Sequence, residues 1–136
     1  MSLPIGVDLG FSKCCVSSLI NGNVEVIENE YASKTTPSYV AFTSTEILVG
    51  QPARNYSTID PLNTVFGFKR LLGLKYEEVT RYVEQLNNIA PVINYKGKPA
   101  YNICYRNKSI NSTKNCSQAC LVSNCVHGFQ SIYIDL

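Results

Sequence analysis

The sequence predicts an α/β chain built mainly from short antiparallel hairpins, followed by a segment without regular pattern. Three observations carry that expectation. Apolar runs of strand length flank short turns at Ile5-Gly6-Val7-Asp8-Leu9 with Cys14-Cys15-Val16, and again at Val92-Ile93-Asn94-Tyr95 with Ala100-Tyr101-Asn102-Ile103-Cys104-Tyr105. One stretch, residues 76–87, has helical period, with Val79, Tyr82, Val83 and Leu86 at i, i+3, i+4 and i+7. Beyond Arg106 neither period continues.

The first two runs are joined by Gly10-Phe11-Ser12-Lys13. Gly10 lacks the Cβ that would hold an anion away from the backbone, and successive N–H groups in such a turn form a concavity suited to phosphate. Asp8, at the end of the first strand, is placed to reach a hydrated Mg²⁺. An ordinary turn accounts for the same residues equally well. Asn21-Gly22-Asn23 favours positive φ and continues the hairpin into Val24-Glu25-Val26-Ile27-Glu28, which makes three antiparallel strands. Lys34-Thr35-Thr36-Pro37-Ser38 is polar and broken by proline. Tyr39-Val40-Ala41-Phe42 then returns to strand composition, with Ile47-Leu48-Val49 expected as its partner.

Pro52 opens a helix of about two turns that runs to Ile59 and is stopped by Pro61. Asn63 or Thr64 is expected to cap a second short helix through Val65, Phe66, Phe68, Leu71 and Leu72, ending at Gly73. On residue type alone, Lys69-Arg70 is a solvated pair on the exposed face of that helix. In the 76–87 helix, Glu77, Glu78, Arg81, Glu84 and Gln85 face water, and Glu77 and Arg81 form a favourable i, i+4 pair. A hairpin across Lys96-Gly97-Lys98 follows. Residues 107–115 are polar and are expected as loop or disorder.

Composition narrows the function classes. With 136 residues, 45% hydrophobic and 16% charged, the chain suits one globular domain. A net charge of +2, without Lys/Arg clusters interleaved with aromatics, argues against nucleic acid. No basic leader precedes an apolar run, and no run approaches the roughly 18 residues of a membrane span, so a cytoplasmic location without membrane association is expected. The sequence holds six cysteines. Cys14 and Cys15 are adjacent in a strand and point to opposite faces, which disfavours a mutual disulfide. Cys116, Cys120 and Cys125, with His127, offer thiolates and an imidazole to zinc, but the spacing fits free thiols better. Asn-x-Ser/Thr matches at Asn107, Asn111 and Asn115 are read as chance without a secretory signal.

Several segments in order carry a resemblance: Ile5-Gly6-Val7-Asp8-Leu9-Gly10; Asn21-Gly22-Asn23-Val24-Glu25-Val26-Ile27; Thr35-Thr36-Pro37-Ser38-Tyr39-Val40-Ala41-Phe42; Asn63-Thr64-Val65-Phe66; and Lys69-Arg70-Leu71-Leu72-Gly73. Together they resemble the beginning of the ATPase domain of heat-shock protein 70 chaperones, from about Pro4 to Tyr105. The resemblance implies an α/β, partial actin-like ATPase domain: the first β-hairpin sheet plus a peripheral α+β lobe over residues 1–105. An irregular, divergent Asn/Ser/Cys-rich tail over 106–136 is then expected to be disordered. It also implies ATP or ADP with Mg²⁺ as cofactors, held by Gly10, Phe11, Ser12, Lys13 and Lys69. Asp8 falls at the family's acidic position near the hydrated Mg²⁺, and Lys69 at the lysine that orients the attacking water and stabilises charge on the transferring phosphoryl group.

At the turn the family usually carries two threonines and a tyrosine, where this chain has Phe11, Ser12 and Lys13. Ser12 keeps a hydroxyl and Phe11 loses one, its ring being expected where water and Mg²⁺ belong. Lys13 either adds a point charge on phosphate or projects into solvent. The family's second phosphate hairpin and peptide-binding domain have no counterpart in this sequence. The function expected is therefore that of a truncated member of an ATP-dependent folding-chaperone family, active in stress response, with weak nucleotide binding and hydrolysis lost. A frame change, an unspliced segment and real divergence are open explanations of the tail. Partners implied are co-chaperones or nucleotide exchange factors. The alternatives are a non-enzymatic interaction module for a chaperone partner, and a fragment with no independent function.

Overall fold

The structure, a computed structural model, describes residues 4–83, 90–106 and 108–112. Strands β1 (Ile5–Leu9) and β2 (Lys13–Ile20) form the expected opening hairpin, with Leu9 opposite Cys14 and Asp8 opposite Cys15. Directly opposed residues project to the same side of a sheet, so Leu9, Cys14 and Val16 share an inner face while Asp8, Cys15 and Leu19 share the outer one. The chain then reverses at Asn21 and Gly22, whose φ values of 51° and 82° suit a two-residue hairpin turn. Strand β3 (Asn23–Val26) pairs with Ser17–Ile20 and leaves Val24 and Val26 exposed on the outer face.

Strand β4 (Thr36–Pro37) takes the stretch of β2 that β3 leaves free, pairing Lys13 with Pro37 and Cys14 with Thr36. Its side of the sheet is held by Asn29, whose amide donates to the Thr35 carbonyl and the Thr36 hydroxyl. One residue later the chain enters a second sheet. There β5 (Tyr39–Phe42) lies between β6 (Ile47–Val49) and β7 (Thr64–Phe66), both antiparallel to it. Helix α1 (Gln51–Tyr56) has Pro52 in its first turn, as expected, and buries Ala53 against this sheet.

The short helix expected from Asn63 or Thr64 to Gly73 is instead strand β7 followed by a 3₁₀ turn, Phe68–Leu71. Thr64, Val65 and Phe66 are β-branched or aromatic and find a free edge on β5, while Gly67, at φ 72°, bends the chain away after them. Upstream, the Asp60 carboxylate accepts from the backbone N–H and the side-chain amide of Asn63 and closes a separate 3₁₀ turn at Pro61–Asn63. Tertiary pairing thus overrides the helical reading.

Helix α2 (Tyr76–Val83) begins where the Lys75 N–H donates to the Glu78 carboxylate at 2.6 Å. Glu77 and Glu78 in its first turn also suit the positive end of the helix dipole. The rest of the expected 76–87 helix lies outside the described residues. Strands β8 (Val92–Tyr95) and β9 (Lys98–Tyr105) form the expected hairpin, turning at Lys96 and Gly97 with φ of 54° and 78°. A third strand, β10 (Lys108–Ser112), pairs with β9 where the sequence suggested loop. This correction has a local cause. Arg106 adopts φ 51° and turns the chain back along β9, where pairing satisfies a polar backbone that shows no apolar alternation.

The core collects Val40, Phe42, Val65, Phe68, Leu71, Val79, Ala90, Tyr101 and Ile103, with Leu9 of the opening hairpin packed against it. The second sheet, the 3₁₀ turn, α2 and β9 therefore share one apolar interior, and Leu9 attaches the hairpin to it. Tyr101 is fully buried, and its hydroxyl donates to the Phe66 carbonyl at 3.1 Å, so β9 is joined to β7 by a polar contact as well. Among the described residues no helix is long and apolar enough to cross a membrane. Leu71 is one of the fully buried members of this core, at 1% exposure. Leu71→Ala is expected to lower unfolding stability by about 2–5 kcal/mol, read by urea denaturation, because the packed sheet and helix leave little room to collapse into the cavity.

Candidate functional site

The turn between β1 and β2 is tight and braced from one side. A Cβ added at Gly10 would overlap the Lys13 carbonyl oxygen, so the glycine is required by the hairpin's own backbone. This structural demand stands beside the expected room for an anion. Ser38, 1% exposed, holds the turn from below: its N–H donates to the Ser12 carbonyl at 2.9 Å and its hydroxyl to the Gly10 carbonyl at 2.9 Å. The Cys14 sulfur lies 3.2 Å from the same hydroxyl oxygen. Both turn carbonyls are therefore drawn towards Ser38. Among the described residues nothing accepts from the Phe11 and Ser12 N–H groups, and Ser12 and Lys13 are exposed. A turn with its carbonyls occupied, its amides free and cations at its edge has the donor set a phosphate needs.

Lys69 reaches this turn from the 3₁₀ segment. Its Nζ donates to the Leu9 carbonyl at 2.5 Å, which brings together two sequence-predicted site regions 60 positions apart in the chain. Lys69 and Arg70 are exposed, as residue type alone suggested, but Lys69 also has this backbone partner in the hairpin. Asp8 is exposed on the outer face opposite Cys15, at the end of the strand that Lys69 meets.

Phe11 is not poised over the turn. Its ring packs against Phe66 of β7, with centroids 5.0 Å apart and a tilt of 58°, and the Arg70 guanidinium lies over it, 4.1 Å from its centroid. Phe66 in turn stacks on Tyr39, at 4.5 Å and 22°. An aromatic seat on β5 and β7 thus takes the ring. Ser38, Tyr39, Phe66 and Arg70 carry no site role in the sequence reading. The available signal is the placement of Ser38 and Tyr39 directly after Pro37, where the chain must pass from one sheet to the next.

Burial pushes the Cys14 thiol above its ordinary pKa, and the negative charges of Asp8 and Cys15 add to this, while hydrogen bonds from Ser38 and the Gly10 backbone oppose it. Cys15 and the exposed Cys104 are also free thiols. Among the described residues no group of three His, Cys, Asp or Glu side chains could hold a metal ion directly, and the Cys116, Cys120, Cys125 and His127 candidate lies outside them.

The family model described as Hsp70 protein matches residues 4–122. Among curated relatives, heat shock cognate 70 kDa protein 3 of Dictyostelium discoideum is 49% identical over 74 residues, covering 54% of this chain and 12% of that protein. Heat shock 70 kDa protein cognate 1 of Drosophila simulans is 45% identical over 76 residues, covering 56% of this chain and 36% of that protein. Heat shock 70 kDa protein of Trichophyton rubrum is 36% identical over 106 residues, covering 78% of this chain and 16% of that protein. The matches thus span little more than a third of these relatives at most.

Two outcomes follow from the buried Cys14. Because the folded state holds this thiol proton more tightly than the unfolded chain, stability is complete below the ordinary thiol pKa and falls as pH rises through and past it. Denaturation midpoints measured from neutral to alkaline pH are expected to show that fall, and Cys14→Ser to reduce it. Alkylation near pH 8, followed by mass spectrometry, is expected to label Cys15 and Cys104 well before Cys14.

Proposed function

This chain belongs to the Hsp70 family, and from that premise we propose that its opening hairpin holds the phosphates of ATP or ADP. In this reading the hairpin is one part of the nucleotide site of an ATP-dependent protein-folding chaperone. The observation that supports it best is the meeting of Lys69 with the end of β1 across 60 positions of sequence. The N–H groups of Phe11 and Ser12 and the Ser12 hydroxyl take phosphate oxygens. Gly10 sets the turn's backbone, and Lys13 and Lys69 supply charge. Asp8 holds Mg²⁺ through water, and Mg²⁺ when bound neutralises charge on the phosphates. Lys69 stands at the position of the family's catalytic lysine and here supplies charge to the terminal phosphate.

Retained binding and retained hydrolysis separate here. Backbone amides and lysines are sufficient for an anion, but the family's hydroxyl at position 11 is replaced by a ring that packs on Phe66. One hairpin also supplies only a fraction of the contacts that a nucleotide normally gathers across a cleft. This chain by itself therefore binds nucleotide weakly and does not hydrolyse it. Isothermal titration with Mg-ADP and Mg-ATP is expected to give dissociation constants on the order of 1 mM. Lys69→Ala and Asp8→Ala are expected to weaken binding by about tenfold. Micromolar binding or phosphate release above buffer would overturn the weak, non-hydrolysing reading, and silence of the hairpin amides in NMR titration would overturn phosphate binding altogether.

A second reading is favoured by the exposed outer face of the first sheet, where Leu19 is 40%, Val24 75% and Val26 43% exposed. In it the lobe, in the cytoplasm, docks a co-chaperone or an exchange factor without hydrolysis. Val24→Lys is expected to abolish capture of such a partner while Lys69→Ala leaves it intact, both measured by titration with the purified partner.

A further inference from the structure

Resting on the phosphate reading of the turn, we propose that Arg70 is an additional phosphate ligand there and that Phe11 is the positioning residue that seats it. The 3₁₀ turn sends two successive cations to the hairpin. Lys69 goes to the Leu9 carbonyl, and Arg70 goes to the Phe11 ring, so they meet the chain on either side of Gly10. Among the described residues the Arg70 guanidinium meets this ring, and no carboxylate neutralises its charge.

Stacking fixes how that charge is presented. A guanidinium laid against an aromatic ring uses its face for the contact, and its N–H groups lie in its own plane at the rim, where they match the spacing of phosphate oxygens. The ring beneath is itself fixed, since Phe66 packs against Phe11 and Tyr39 stacks on Phe66. Tyr39, Phe66, Phe11 and Arg70 thus form one column of four side chains that starts on β5 and ends in an exposed planar cation seated on Phe11, a residue of the turn itself. A threonine or serine at position 11 would offer one hydroxyl and no platform. Phe11 exchanges that hydroxyl for a seated guanidinium, and the preferred ligand is an oligophosphate, which can span the turn amides, Lys69 and Arg70 together.

The test uses the purified full chain and inorganic tripolyphosphate, followed by NMR at the Phe11 and Ser12 amides and at the Arg70 Nε–H, with Mg-ADP titrated separately. Tripolyphosphate is expected to shift all three signals with one midpoint. Arg70→Ala is expected to weaken binding by about tenfold. Phe11→Leu is expected to weaken it by about threefold and to broaden the Arg70 signal, whereas Phe11→Tyr, which keeps the ring, restores both. Unchanged affinity in Arg70→Ala, or an Arg70 signal that stays in place while the turn amides move, overturns the proposal and leaves the phosphate reading standing. Movement of Arg70 without the turn amides marks an anion bound elsewhere and also overturns it. Turn amides that respond to neither probe remove the phosphate reading and this proposal together.

Discussion

The buried hydrogen bonds of Ser38 are the constraint on which the rest of the arrangement depends. Residues 36–42 run without interruption from β4, which completes the hairpin sheet, into β5, which is the central strand of the second sheet. Ser38 is the single residue between them. At that crossing its N–H and hydroxyl satisfy the Ser12 and Gly10 carbonyls, so a polar group almost without solvent has partners on both sides. An unpaired polar group at this depth would cost about 1–3 kcal/mol, and the cost falls on the turn as much as on the strand. The hairpin's shape and the joining of the two sheets are consequently one structural fact.

From that junction the aromatic column follows directly. Tyr39 is the first residue of β5 and sits opposite Phe66 of β7, so the register that starts the second sheet also places the stacked pair. Phe11, two residues before the hairpin returns in β2, packs on the Phe66 member of that pair. Leu9 enters the core on the inner face, and the turn that follows carries the Phe11 ring to Phe66. The substitution that most separates this turn from the family pattern is therefore absorbed by packing, and the backbone around it remains that of a braced hairpin.

The β2–β3 and β8–β9 hairpins are legible in the sequence because each advertises itself twice, in apolar runs and in a turn with Asn-Gly or Lys-Gly at positive φ. The same logic explains the failures. Residues 64–66 resemble helix because Val65, Phe66 and Phe68 are apolar at mixed spacing, and nothing local says that β5 has an unfilled edge. Residues 108–112 resemble loop because an edge strand on a hairpin needs little apolar alternation when its partner β9 supplies the burial. At the candidate site, motif order nominates Asp8, Gly10 and Lys69, whereas Ser38 and Arg70 become visible only through contacts across 28 and 59 positions, which no local period encodes.

The physical difference between holding a phosphate and transferring one decides what such a turn retains. Holding needs fixed donors and charge, which in the proposed site would come from backbone amides, removed by no substitution other than proline, and from cations on a segment anchored in the core by Phe68 and Leu71. Transfer needs in addition a water and a metal ion placed to within a fraction of an ångström at the terminal phosphate. Replacing a hydroxyl by Phe11 removes a placement device and adds a packing one. On the proposed phosphate reading, the braced turn, the anchored cations and the aromatic seat favour recognition over turnover, because each rigidifies donors without replacing the hydroxyl that Phe11 lacks.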